Sequence, residues 1–290
     1  MKPKKSLVLL SIGITLMTFI TSGMGLFFKR GDGPFMFTTI HEEAIEIYGR
    51  GLYQFDSAFK APVLRGTDAI LLFIGVPLLV LAIILYRRGS LPGQLLLTGL
   101  LSCFLYNAVS VGFGAAYNEL FLVYMLIFSY SLFAFVIAFS LTGQTLMKAD
   151  ISERLPYRGI AIFIMIAGLS PCVWLVDIIV SLIAGQVPQN VALYTTDVTT
   201  LLDVGIITPS CFIAAVMLLR RKPLGVLLSS TLLTLLTLIG LIVVAQSIMQ
   251  YLDGIRLGGM AFGLYVVPFV SLSLIAVVFN YLIFRNIKII

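Results

Sequence analysis

Asp177 is the residue in this chain best placed to do chemistry. It stands 18 residues into the apolar run Gly159–Ala184. At about 1.5 Å per residue, that depth is about 27 Å along a helix. A charge near the centre of a membrane span costs ~2.5–3.5 kcal/mol on insertion scales, and such residues default to a cation or proton site facing the bundle interior. The alternative is an interfacial carboxyl that hydrates or pairs with a tyrosine. Asp68 and Asp203 begin two further spans, where an acid caps free backbone amides and suits the positive helix end. The third apolar run ends with Tyr106-Asn107, Ser110 and Tyr117-Asn118-Glu119. Asn107 and Ser110 share a helix face at i, i+3 spacing. They read either as polar groups of a site or as glue between helices. Tyr124, Ser129, Tyr130 and Ser131 add hydroxyls to the next run, and Gln246 and Gln250 lie late in the seventh.

Other chemistries are excluded by residue type. His41 is the only histidine. A haem held by two histidines of one chain and an H-E-x-x-H zinc site both need more than one. Cys103, Cys172 and Cys211 are odd in number and lie inside apolar runs. They read as packing residues rather than a disulfide or redox pair. No Walker A, dinucleotide fingerprint in context, nucleophile elbow or metal-ligand cluster occurs. No cofactor and no metal are expected, and the sequence leans away from an enzyme.

The elements that must position these residues follow from composition. The chain has 290 residues, 60% hydrophobic and 11% charged, against about 25% charged in an ordinary globular domain. That is too little polar surface to cover a soluble protein. The expected fold is an all-α polytopic membrane helix bundle. Eight segments reach the roughly 20 apolar residues that a span needs. They are Ser6–Phe28, Thr67–Tyr86, Gln94–Ala116, Leu120–Thr142, Gly159–Ala184, Val204–Leu219, Val226–Gln250 and Gly259–Phe284. The first is longer than the apolar core of a signal peptide and reads as a retained helix.

Loop charges set the expected orientation. Lys2, Lys4, Lys5, Arg87, Arg88, Lys148, Arg154, Arg158, Arg220, Arg221, Lys222, Arg285 and Lys288 fall on one side. Lys29, Arg30, Arg50, Lys60, Arg65 and Arg256 fall on the other. The positive-inside rule then places both termini in the cytoplasm, in a plasma membrane, with loop 29–66 outside. The formal net charge of +6 is thus an insertion signal and gives no reason to invoke nucleic acid. Asp150 and Glu153 are the only cytoplasmic acids, so 11 of 13 acids face or approach the outer side.

Two stretches resemble each other. Thr67-Asp68 leads through Pro77 to Arg87-Arg88; Leu202-Asp203 leads through Pro209 to Arg220-Arg221-Lys222. The simplest account is two parallel four-helix halves, 1–148 and 149–290, within one bundle. Against it, any two short cytoplasmic hairpins need proline, glycine and arginine. Pro77 and Pro209 are kink candidates, because proline frees the carbonyl one turn earlier. In the loop Lys29–Gly66, Thr39-Ile-His-Glu42 reads as a capping box that opens a short helix ended by Gly49. Leu52, Tyr53, Phe55, Phe59 and Val63 alternate with polar residues. The loop is therefore expected to be a folded helical cap.

Three functional readings follow. The first is a small permease that binds a cation or polar solute in an outward acidic, tyrosine-lined vestibule, with Asp177, Asn107 and Asp203 converging on it. The second is a membrane subunit, assembly factor or sensor that uses the cap to contact protein or lipid, with a membrane-protein partner or a second copy. The third is a lipid-modifying membrane enzyme with two outer carboxylates within reach of each other.

Overall fold

The computed structural model describes residues 3–40, 42–188, 191, 193–256 and 258–289. Lys2 of the basic N-terminal run and His41 of the capping box lie outside them. Eight helices are long and apolar enough to cross a membrane: Lys5–Phe27, Lys60–Arg87, Leu91–Gly114, Phe121–Leu146, Tyr157–Ala184, Val198–Leu219, Pro223–Leu252 and Phe262–Arg285. All the expected spans are present, and all but two of their ends fall within four residues of the expected ones.

The two exceptions matter. The second span starts at Lys60 instead of Thr67, and the sixth at Val198 instead of Val204. Hydropathy misses these first turns because they are polar. Ser57 Oγ accepts from the Lys60 amide at 3.1 Å, and Asp197 accepts from the amides of Thr199 and Thr200. These two residues start the helices. Asp68 and Asp203 therefore do not cap. Asp68 lies eight residues inside its helix and Asp203 five inside its own, and both are buried.

Helices without a hydrophobic drive between them associate through close packing and interhelical hydrogen bonds. The seventh span is the hub, with 67% of its apolar window buried. It packs on the second, third, sixth and eighth spans. At Gly99 an added Cβ would lie 2.5 Å from Thr234, so the third and seventh spans meet almost backbone to side chain. Ser230 Oγ donates to Asn280 Oδ1 at 2.9 Å, and Asn280 Nδ2 donates to Thr234 Oγ1 at 2.8 Å. This dry network joins the seventh span to the eighth.

Both predicted kink prolines follow a π-helical turn, Leu71–Gly75 before Pro77 and Asp203–Ile207 before Pro209. A wider turn accommodates the missing amide and the ring that would strike the carbonyl four residues back. The fifth span is broken as well, by a 3-10 turn at Ser170–Val173 around Pro171. Its freed carbonyls are satisfied. Ser170 Oγ donates to Ala167 O at 2.8 Å, and Thr208 Oγ1 of the sixth span donates to Gly168 O at 2.7 Å.

The cap is folded, but it is not helical. Strands β1 (Phe35–Thr38) and β2 (Ala44–Ile47) form an antiparallel hairpin in which Phe35 faces Ile47 and Thr38 faces Ala44. Thr39 N donates to Glu43 O, and Glu42 turns the chain at φ 63°. The expected capping-box helix does not form. Its segment is dominated by aromatic and β-branched residues, which favour strands, and a tight turn occupies the place of the first helical turn. Gly49, with φ 67°, turns the chain after β2 instead of ending a helix. At the other end, β3 (Ala149–Ile151) pairs with β4 (Ile287–Ile289), tying the chain end to the loop between the fourth and fifth spans.

Candidate functional site

On the first span Thr18, Thr21, Ser22 and Gly25 recur at helical spacing, and all are buried. Opposite them, in the second span, stands Asp68. Gly25 lets the carboxylate come close: a Cβ there would lie 1.8 Å from Asp68 Oδ2 and 3.2 Å from the Tyr53 ring. Tyr53 reaches in from the cap and donates its hydroxyl to Asp68 Oδ2 at 2.7 Å. Burial first, and the Asp68 charge next, hold the Tyr53 hydroxyl well above its ordinary pKa. It therefore remains a proton donor across the physiological range.

These groups surround a cavity of about 10 Å³, room for about one water. Thr18, Thr21, Tyr53, Asp68, Asn107 and Tyr124 supply its polar lining. Among the described residues, the Thr18 hydroxyl is buried without a hydrogen-bond partner. Ser22 hydrogen-bonds Asp68, and Tyr124 is hydrogen-bonded with Asn118 and Tyr53. A buried hydroxyl left unpaired costs about 1–3 kcal/mol, so Thr18 leaves the polar cavity beside Asp68 with hydrogen-bonding capacity to spare. An oxygen-only set of this kind suits a hard cation or a proton and does not suit a soft metal. Among the described residues, no group of three histidine, cysteine or acidic side chains could hold a metal ion.

Three further carboxylates at the cap end follow the same plan, each taking a tyrosine hydroxyl. Tyr106 donates to Asp203 Oδ1 at 2.8 Å, and Ser110 Oγ donates back to Tyr106 O at 3.0 Å. Tyr48 donates to Asp253 Oδ2 at 3.0 Å, where Arg65 also bonds at 2.9 Å. Asp56 Oδ1 accepts from the Ala116 amide at 2.9 Å and from Tyr194 at 3.0 Å. Its Oδ2 is buried without a partner. Burial pushes the Asp56 carboxyl up to about 6, against the lowering effect of those two bonds and of Lys60. The Lys60 ammonium lies 3.6 Å above the Tyr194 ring and bonds Gly114 O. The cap is thereby fastened to the third span and to the connection between the fifth and sixth.

The predicted site residues are distributed as follows. Asn107 lines the Asp68 cavity, and Tyr106, Ser110 and Asp203 form one bonded group beside it in sequence. Glu119 leaves the bundle to bond Arg30 at 2.6 Å on the surface. Asp177 does not join them. It is exposed in the first turn after the break at Pro171, where an acid suits the helix N-terminus, in a segment whose only buried residue is Ser181. The expected convergence of Asp177, Asn107 and Asp203 does not form, because Asp177 lies on an exposed face of the segment after the break. The expected acidic vestibule is not what the cap end presents among the described residues. The larger opening at the cap end is lined by Lys29, Arg30, Arg50 and Arg65 against Asp32 alone, because the buried acids face tyrosines instead. Sequence reasoning missed Tyr53, Thr18 and Ser22. The available signal was the spacing 18, 21, 22, 25 of small polar residues along the first span.

The chain is a multi-pass, membrane-embedded helix bundle. Compared with known protein families, with characterised proteins and with solved structures, it matches none.

Proposed function

We propose that this protein is a small permease-type membrane protein whose ion site is Asp68, taking a proton or a sodium-sized cation in the chamber closed by Tyr53. The observation that carries this reading is a buried carboxylate without a charged partner at hydrogen-bond distance among the described residues, facing a small cavity lined by the oxygens of Thr18, Thr21, Tyr53, Asn107 and Tyr124. An unpaired buried charge costs several kcal/mol, and a bound cation or proton removes that cost. A parallel repeat supports the reading. In both halves the second span packs on the third and the third on the fourth. In both, a π-helical turn stands two residues before the proline of the second span. Interrupted spans in corresponding positions mark binding sites in transporter folds. The loop charges favour cytoplasmic termini with the cap on the opposite side, so the ion enters from the cap side.

The test is the thermal midpoint of the purified chain in neutral detergent, in sodium, lithium, potassium or choline chloride and at two pH values. The wild type is expected to be stabilised by one small cation or by acid, and Asp68→Asn to lose that response while remaining folded. Equal midpoints in every salt and at both pH values, for both proteins, would refute the proposal.

One observation favours a second reading, a subunit or sensor that works through its cap. Phe35, Met36 and Phe37 of β1 and the adjacent Ile40 are all exposed. They form an apolar finger suited to a lipid surface or a membrane-protein partner. Deleting residues 35–47 should abolish function under this reading while leaving the cation response of the midpoint intact. The third reading draws no support from the acids, since among the described residues the three buried carboxylates, Asp56, Asp68 and Asp203, each accept from a tyrosine and none bonds a second carboxylate.

A further inference from the structure

Beside the Asp68 chamber, and separated from it by Tyr53, is a second cavity of about 400 Å³. Two loops build it, residues 28–33 after the first span and residues 48–53 after β2. They clasp each other through their backbones: Gly33 N donates to Gly49 O at 3.1 Å and Gly51 N to Arg30 O at 2.7 Å. Gly31, Gly33, Gly49 and Gly51 all have positive φ. A Cβ at Gly49 would lie 1.8 Å from Gly33 O, so the clasp closes only with glycine, and its walls are fixed before any ligand arrives.

The cavity is basic. Lys29, Arg30, Arg50 and Arg65 line it, with Asp32 the only acid. Arg30 is engaged by Glu119 and Arg65 by Asp253. Lys29 and Arg50 have no ion pair among the described residues. Counting Asp32, Glu119 and Asp253 against the four cations leaves one positive charge over. The floor is apolar, formed by Leu26 and Phe28 at the end of the first span and by Leu52. One uncompensated positive charge above an apolar floor, at the end of a membrane-spanning helix, matches a phosphate-type monoanion carried on an amphiphile. Arginine and lysine are the residues that recognise phosphate.

We propose that this cavity is a binding site for a phosphate-bearing monoanion, with Lys29 and Arg50 as its ligands. The site stands independently of the ion reading of Asp68. The full chain, in neutral detergent, is titrated with short-chain phosphatidylglycerol, with the matching phosphatidylcholine and with inorganic phosphate. Phosphatidylglycerol is expected to bind about tenfold more tightly than phosphatidylcholine, since both present an anionic phosphate but only phosphatidylcholine adds a choline cation that the basic cavity repels. The Lys29→Gln/Arg50→Gln variant is expected to lose that preference. Asp32→Asn is expected to tighten binding about threefold by removing an opposing charge. If inorganic phosphate competes with the lipid, a free anion is the source; if it does not compete, the source is a lipid headgroup. Equal binding of the two lipids together with no binding of phosphate overturns the proposal. So does unchanged affinity in both the Lys29/Arg50 and the Asp32 variants, with folding checked by gel filtration.

Discussion

Gly25→Ala is the sharpest test of the chamber. The new methyl group would lie 1.8 Å from Asp68 Oδ2 and 2.8 Å from its carboxyl carbon, with the Tyr53 ring at 3.2 Å. The carboxylate must therefore swing away, and its bond from Tyr53 is lost. Losing a hydrogen bond to a charged group costs about 1.5–3 kcal/mol, and overpacking a filled site adds about 1–3 kcal/mol. The expected loss is about 3–5 kcal/mol, which at about 2–4 °C per kcal/mol lowers the thermal midpoint by about 6–20 °C. Gly23→Ala is the matched control, because nothing lies within 4 Å of its new Cβ. Alanine is the better helix former by about 0.8–1 kcal/mol, so that variant should be neutral or slightly more stable. Unfolding of the detergent-solubilised chain, followed by the fluorescence of its only tryptophan, Trp174, gives the midpoints. Asp68→Ala removes the group that is struck and should recover part of the Gly25→Ala loss in the double variant. If Gly25→Ala matches Gly23→Ala, or if Asp68→Ala recovers nothing, then Asp68 does not sit against the first span as described.

Asp56 gives a pH prediction. Its carboxyl is raised to about 6 in the fold, above its unfolded value, so the folded state holds the extra proton. Its contribution is greatest below about pH 4 and is lost as the pH rises through 6, about 3 kcal/mol in all. Asp56→Asn should flatten the midpoint between pH 4 and pH 7, and an unchanged slope would count against the burial of this group. Tyr106→Phe leaves Asp203 without its donor and should cost about 1–3 kcal/mol in the same unfolding assay; a neutral result would mean that water replaces the hydroxyl. Arg30→Gln breaks a pair whose side chains are 59% and 49% exposed. An exposed pair is worth at most about 1 kcal/mol, so the midpoint should barely move, and a large drop would show that the pair holds the cap down.

Much of the bundle is legible in the sequence, because a span is defined by local composition. The eight apolar runs needed only their length, and the odd, scattered cysteines and the single histidine needed only counting. The polar helix starts were not legible. Lys60 and Arg65 read as loop residues until their partners Gly114, Tyr194 and Asp253 are known. The cap hairpin was hidden because Thr39-Ile-His-Glu42 satisfies a helix-start pattern, and the strand tendency of Phe35–Thr38 lies just before it. Pro171, three residues after Gly168, was a readable break in the fifth span. Its consequence for Asp177 depends on which side of the break packs.

By itself, the sequence determined that the chain has eight segments long and apolar enough to cross a membrane. It also shows a single histidine and none of the common metal, nucleotide or nucleophile motifs. These are properties of composition and spacing, each decided within a single helix or loop. Only the tertiary structure decided which acids matter. Asp177, the costliest by position, is exposed, while Asp68, which reads as a cap, is buried beneath Tyr53 and against Gly25. The physical reason is distance along the chain. Asp68 meets Gly25 and Asn107 across some forty residues on either side, and the cost of burying a carboxylate is set by those partners and not by its neighbours in sequence.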